Sequence, residues 1–221
     1  LVAGPATGEF LDAVTSCAGK VAPTSMLHKG ISEAFRSGVA SIRRTPGVRV
    51  VGESTTPSDP QKSQAPCAIF TTDLKTLEAQ PHLWDEVFGP ASVIVTCDSP
   101  GDMERLARGL HGHLTASVHG TPEELQAHRG LIEILERKVG RIVFNGFPTG
   151  IEVCAAMHHG GPYPATTDGH YTSIGAASID RFVRPMCYQG FPDAALPEEL
   201  QNANPRGIWR LVDDQRTRDA C

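Results

Sequence analysis

Apolar residues recur at helical spacing across residues 8–20, where Phe10, Leu11, Val14, Cys17 and Ala18 share one face. A second helix is expected after a Thr24 cap, running through Ile31, Ala34 and Phe35. Residues 47–51 read as a short strand, and the Ser-, Thr-, Pro- and Gln-rich stretch 53–66 as a surface excursion. Strands follow at 67–71 and 93–96, separated by a loop-and-helix stretch that delivers Glu86 and Phe88. Ser99-Pro100 predicts a helix start, with Met103, Leu106, Ala107 and Leu110 on its inner face. A strand at 115–118 leads to the capping-box sequence Thr121-Pro122-Glu123-Glu124 and a helix through Leu125, Ile132 and Leu135. Residues 141–144 close the series as a buried strand entering Asn145-Gly146.

Strands alternating with helices in this order predict an α/β fold with a largely parallel sheet covered on both faces, a three-layer α/β/α arrangement. The expected divisions are an α/β core over 1–150, a loop region over 151–172, a late strand over 173–185 and a tail over 186–221. The tail is too poor in apolar periodicity to suggest a second domain. Ligands in such sheets gather at the carboxyl ends of strands, which makes the loop 145–150 a plausible pocket wall.

With 221 residues, 40% of them hydrophobic, the chain can bury a sizeable core. A net charge of -5 argues against nucleic acid or an anionic membrane as the main partner. No apolar run approaches the roughly 18–20 residues of a membrane span. The opening Leu1-Val2-Ala3-Gly4-Pro5 reads neither as a natural start nor as a signal peptide, so a cut fragment is expected. Six cysteines without repeated spacing read as reduced thiols of a cytoplasmic protein.

Cys154 with His158 and His159 suggests a thiol–imidazole pair, but a small thiol beside loop-packing histidines is the favoured reading. His111, His113, His158 and His159 fit no metal-ligand spacing, so no metal is expected. Asp168 and His170 read as turn formers. Gly160-Gly161-Pro162 lacks the Lys-Ser/Thr of a phosphate loop and reads as a hinge where two backbones approach closely.

Glu86-Val87-Phe88-Gly89-Pro90 combines an acid that can accept hydrogen bonds from vicinal hydroxyls with a ring that can pack a planar heterocycle. This segment resembles the Glu-x-Phe-Gly-Pro motif of aldehyde dehydrogenases. Residues 141–150 resemble the family's strand that ends in Asn and leads into a substrate loop. Many members of the family carry Phe-Gly-Gly with a nearby Lys where this chain has His159-Gly160-Gly161-Pro162-Tyr163-Pro164-Ala165-Thr166, continuing through Ser173-Ile174-Gly175 to Arg181-Phe182-Val183-Arg184-Pro185. This version is similar to the branch of 2-oxoglutarate semialdehyde (2,5-dioxopentanoate) dehydrogenases and related NADP-linked enzymes. Cys187-Tyr188-Gln189-Gly190-Phe191-Pro192 and Leu196-Pro197 fit the same branch.

The resemblance implies oxidation of a small aldehyde to a carboxylate through a Cys thioester, with NADP or NAD as cofactor. Glu86 would anchor the nicotinamide ribose and Phe88 would pack beside the ring; Phe147, Pro148 and Ile151 are expected in the substrate pocket. Leu1-Val2 matches the pair just after the family's nucleophile segment, so both the nucleophile and the general base are expected upstream, and no catalytic residue is assigned here. The 173–185 strand would pair with a second copy of the chain. A non-catalytic binding or assembly module that retained the scaffold is the alternative.

Overall fold

The computed structural model describes residues 2–3 and 7–221. The chain divides into two compact units, Leu1–Ala177 and Ser178–Cys221. The first contains, in order, β1 (Val2–Ala3), α1 (Thr7–Gly19), β2 (Thr24–Ser25), α2 (Lys29–Arg44), β3 (Arg49–Glu53), β4 (Gln64–Ala65), β5 (Ala68–Asp73), α3 (Leu74–Ala79), β6 (Ala91–Cys97), α4 (Pro100–Gly109), β7 (His113–Val118), α5 (Pro122–Ala127), α6 (Arg129–Glu136) and β8 (Val139–Phe144).

The strands and helices alternate as the hydrophobic pattern predicts, and the fold is α/β. One sheet has the order β1-β6-β5-β3, in which β1, β6 and β5 run parallel and the edge strand β3 runs antiparallel to β5. A second, parallel pair joins β7 to β8 from His113↔Val139 to Val118↔Phe144. The neighbours Phe70 and Thr71 are 0% and 1% exposed, so both faces of β5 are covered, because successive side chains point to opposite sides of a sheet.

The main core draws Ile42 from α2, Phe70 from β5, Leu77 from α3, Val95 from β6 and Leu106 from α4. Burying each such side chain stabilises the fold by about 1.5–3 kcal/mol. A second cluster sets Ala107 of α4 against Ile134 and Leu135 of α6, with Ala116 and Ile142 of the β7–β8 pair packed on it.

Helix α4 sets the direction of the strands. Its Ser99 cap follows β6, and Ser99 Oγ accepts from the Asp102 amide at 3.2 Å. Gly109, at its far end, lies against Trp84 in the turn that precedes β6, and the chain then enters β7. β6 and β7 therefore run the same way, with β8 parallel to β7. Their carboxyl ends, at Asp98, Val118 and Phe144, meet around one cleft of about 380 Å³.

Five details differ from the sequence reading. Thr24 does not cap α2: it pairs with Ala65 in the β2–β4 ladder, and His28 takes the cap, its Nδ1 accepting from the Ile31 amide at 3.4 Å. The 53–66 excursion is tied down by that ladder and buries Ala65. The helix after Thr121 is two helices, broken at His128, where Gly130 comes close to Glu104 of α4. The expected strand over 173–185 is instead a 3-10 helix, Ala176–Phe182. A strand needs a ladder partner for its amides, and this segment closes its hydrogen bonds locally. Finally, the second unit is more than a polar tail. It ends in a hairpin of β9 (Arg210–Val212) and β10 (Gln215–Thr217), with Asp213 and Asp214 both at positive φ in the turn.

Candidate active site

Glu86–Pro90 lies at the amino end of β5 and β6. Pro90 O accepts from the Ala68 amide at 3.0 Å, which pins the loop to the start of β5. Gly89 has φ +151°, and a Cβ there would stand 2.8 Å from Phe35 Cε2 and 3.0 Å from Met26 Cε. Only glycine allows the loop to lie this close to α2. Gly38 of α2 does the same on the other side, since a Cβ there would stand 2.9 Å from Val87 Cγ1. The backbone is thus clamped while Glu86 stays exposed and Phe88 is 67% exposed. Both side chains border an open trough of about 390 Å³ floored by Ile31, Ala34 and Phe35.

The glycine run of residues 160–161 sits at the same end of the neighbouring strands. A Cβ on Gly140 of β8 would collide with Gly160 O, one on Gly112 with Pro162 O, and one on Gly161 with His113 O. Two backbones cross here in direct contact, as the hinge reading expects. The crossing is held by Thr172, whose Oγ1 accepts from the His159 amide at 2.8 Å, while the Ser173 amide donates to His159 O at 3.0 Å.

Between the two ends runs the loop after β8. Asn145, at φ +50°, accepts from the Gly120 amide at 2.9 Å and donates to Gly120 O at 2.8 Å, joining the loops that follow β7 and β8. Phe147, 80% exposed, packs against the His119 ring with centroids 5.8 Å apart. The chain then folds back along β8. Arg141, in the middle of that strand, donates from Nη2 to Pro148 O at 2.7 Å and from Nη1 to Gly150 O at 3.2 Å. Pro148 and Ile151 are half-buried.

The structure therefore groups Glu86 with Phe88 at the amino end and Phe147 with Pro148 on the loop descending from the carboxyl end; the trough beside Glu86 and Phe88 is lined by neither Phe147 nor Pro148. Ile151 lies further along the same loop. Cys154 is exposed, and the His158 ring turns instead towards Gly160. Burial pushes the Cys67 and Cys97 thiols above the ordinary thiol range, which keeps them protonated and poor nucleophiles. Among the described residues, no three His, Cys, Asp or Glu side chains stand close enough to hold a metal ion. Asp168 accepts from the His170 amide at 3.0 Å and meets its ring at 2.7 Å, a turn contact. Leu1 lies outside the described residues.

Sequence reasoning did not single out Arg141, whose guanidinium holds the loop after β8. Its signal was present: a single charge within the otherwise apolar or small run Val139–Phe144. No helix among the described residues is long and apolar enough to cross a membrane.

No family model matches the chain. It is 42% identical over 210 residues to alpha-ketoglutaric semialdehyde dehydrogenase 2 of Azospirillum brasilense, covering 95% of this chain and 40% of that protein. It is 36% identical over 219 residues to alpha-ketoglutaric semialdehyde dehydrogenase of Acinetobacter baylyi, covering 99% of this chain and 41% of that protein. The chain thus spans about two fifths of the length of the curated relatives it matches. In fold it is similar to succinic semialdehyde dehydrogenase from Streptococcus pyogenes in complex with NADP+, with a TM-score of 0.57, 14% identity and coverage of 72% of this chain and 35% of that one. With nearly its whole length aligned to such enzymes and its fold matching theirs, the chain belongs to the aldehyde dehydrogenase superfamily.

Proposed function

We propose that this chain is the C-terminal portion of an NAD(P)-dependent aldehyde dehydrogenase that oxidises 2-oxoglutarate semialdehyde to the dicarboxylate through a Cys thioester. The observation that carries the reading is the Glu86–Pro90 loop, whose main chain is locked by Gly89 against Phe35 while its acid and ring stand open over a trough. An exposed carboxylate fits a ribose diol, and an exposed ring beside an apolar floor fits a flat heterocycle. The relatives' names support the substrate, and the NADP+ complex of the streptococcal neighbour supports the cofactor class.

The bound dinucleotide would supply the hydride acceptor. Glu86 orients it through the ribose, and Phe88 limits the tilt of its ring. Such positioning governs rate because a misplacement of about 1 Å can lower turnover about 100-fold. This reading places the nucleophilic thiol outside the chain; burial keeps Cys67 and Cys97 protonated, and Cys17, Cys154, Cys187 and Cys221 are exposed. β1 runs parallel to β6, so the amino end of β1 lies on the side where Glu86 stands.

The deciding experiment assays the 221-residue chain beside the product of the full reading frame, with 2-oxoglutarate semialdehyde and either NADP or NAD. Turnover by the longer product alone is expected. Cofactor reduction by the short chain would overturn the assignment of the thiol. We also propose that residues 173–185, with Ile179, Phe182 and Val183 exposed, pair with a second copy of the chain in the complete enzyme. Light scattering of the full-length protein and of a Phe182→Asp variant tests this, the variant being expected to shift towards monomer.

A further inference from the structure

The first unit carries nine arginines, at positions 36, 43, 44, 49, 105, 108, 129, 137 and 141, and eight of them are exposed. Arg141 alone is half-buried. A guanidinium removed from water is normally compensated by a carboxylate. Arg43, Arg105, Arg108 and Arg129 all have such partners, although they lie at the surface where pairing contributes least. Arg141 has none among the described residues. Its terminal nitrogens are held by two neutral carbonyls, Pro148 O and Gly150 O, and its Nε is buried without a partner.

Arg210 of the second unit is likewise held by neutral carbonyls with its Nε buried, so what distinguishes Arg141 is the N–H groups left on it and the loop it holds. A guanidinium has five N–H groups, two on each terminal nitrogen and one on Nε. One hydrogen on Nη1 and one on Nη2 are taken by the loop, which leaves one on each. The two carbonyls hold the guanidinium in place without cancelling its charge. What remains is a fixed, uncompensated cation with two donors on its terminal nitrogens, which suits two-point recognition of a carboxylate. Its place in the fold agrees. Arg141 lies midway along β8, and the loop it holds descends from Asn145 towards the glycine crossing at the amino end, where Glu86 and Phe88 stand.

We propose that Arg141 is the specificity-determining residue for the acidic end of the substrate: its free N–H groups bind the carboxylate remote from the aldehyde, and the Pro148 and Gly150 carbonyls pre-orient it. This rests on the aldehyde-oxidation reading above and adds the contact that favours an oxo-acid semialdehyde over a neutral aldehyde. The two carbonyl contacts give Arg141 a structural role as well, and the test must separate the two.

In the enzyme expressed from the complete reading frame, kcat and KM are measured for 2-oxoglutarate semialdehyde and for pentanal, which has the same chain length without the acid. Arg141→Met keeps the aliphatic stem and removes the charge; Arg141→Lys keeps the charge and removes the fork. The Met variant is expected to lose about 10- to 100-fold in kcat/KM for the oxo acid, mostly through KM, the range for removing a charge-assisted contact, with pentanal changed less than about 3-fold. The Lys variant should recover part of the loss. Calorimetric titration with 2-oxoglutarate, the product dicarboxylate, reads the same contact without turnover and should weaken in parallel. Equal losses on both aldehydes would show that Arg141 only holds the loop and would overturn the proposal, as would an unchanged oxo-acid KM. A wild-type enzyme that binds 2-oxoglutarate through Arg141 but oxidises neither aldehyde would overturn the oxidation reading while leaving the carboxylate contact in place.

Discussion

At the amino end of β5 to β8, main chain meets main chain at glycines; at the carboxyl end, side chains tie the loops together. Gly112, Gly140 and Gly161 let backbones touch with no side chain between them, Gly89 lets its loop lie directly against the Phe35 ring, and Glu86 and Phe88 are left open above. At the other end, Asn145 joins two loops, Ser99 and Thr121 cap their helices, and Asp73 caps α3. The cleft there is lined by Val118, Leu131 and Phe144 together with Ser99 and Glu124, which serve the caps, and with Asp98 and His128. A binding site needs a rigid frame and available side chains at once. Glycine contacts provide both because they fix the chain without using any side chain. Side-chain clasps also fix the chain, but they consume the polar groups that a ligand would use.

The largest effect should come from inserting a methyl group at the glycine crossing. Gly140→Ala places a Cβ against Gly160 O, and neither backbone can yield cheaply, so a loss of about 3 kcal/mol or more is expected in denaturant unfolding. Gly150→Ala is the control, because nothing lies within 4 Å of its added Cβ, and its change should stay within about 0.5 kcal/mol. Equal effects would mean that the crossing is not tight.

Glu86→Gln addresses the opposite property of the same end. The side chain is exposed, so the unfolding midpoint should barely move, while turnover of the full-length enzyme should fall about 10- to 100-fold through misorientation. Steady-state kinetics beside thermal unfolding separate the two outcomes. A large stability loss with normal turnover would reverse the assignment.

At the carboxyl end the expected costs are smaller and structural. Asn145→Ala removes two hydrogen bonds to Gly120 and should cost about 1–2 kcal/mol of stability. Cofactor affinity should remain unchanged in a direct titration.

Asp73 gives the smallest effect, and it depends on pH. Hydrogen bonds from Thr76, the backbone amide first, hold its carboxyl below the usual carboxylate range. The ionised group therefore stabilises the fold at pH above its unfolded value, about 3.9, and the contribution disappears as pH falls through the lower folded value. Asp73→Ala should cost about 1 kcal/mol at pH 7 and progressively less towards pH 3. Unfolding curves of both proteins at the two pH values check the sign.

Much of the fold was legible in the chain because short-range chemistry dictates it. Ser99-Pro100 and Thr121-x-x-Glu124 start helices by satisfying amides a few residues away, and both caps form as read. Thr24 misled for the complementary reason: a good cap residue was taken by a ladder to Ala65, forty-one residues later, and local pattern carries no information about that partner. The break at His128 was not legible either; beside it Gly130 comes close to Glu104 on another helix. At the candidate site, Glu86 and Phe88 were readable as a motif, and Gly160-Gly161 as a hinge. The chain could not show that both stand at the amino ends of their strands, contrary to the usual placement of ligands in such sheets.

The sequence by itself determined residue types and local periods: most of the helices and strands as far as β8, the Ser99 and Thr121 caps, and which acid and ring are candidates for a flat polar ligand. These follow from interactions spanning a few residues. Only the tertiary structure decided that Phe35 and Met26 leave room for nothing but glycine at position 89, that Gly160 rests on Gly140, and that Arg141 is half-buried with no acid paired to it among the described residues. Those facts depend on contacts between segments far apart in the chain. Whether a glycine is needed, or a charge is left uncompensated, is a property of the neighbour across the gap, and folding alone supplies that neighbour.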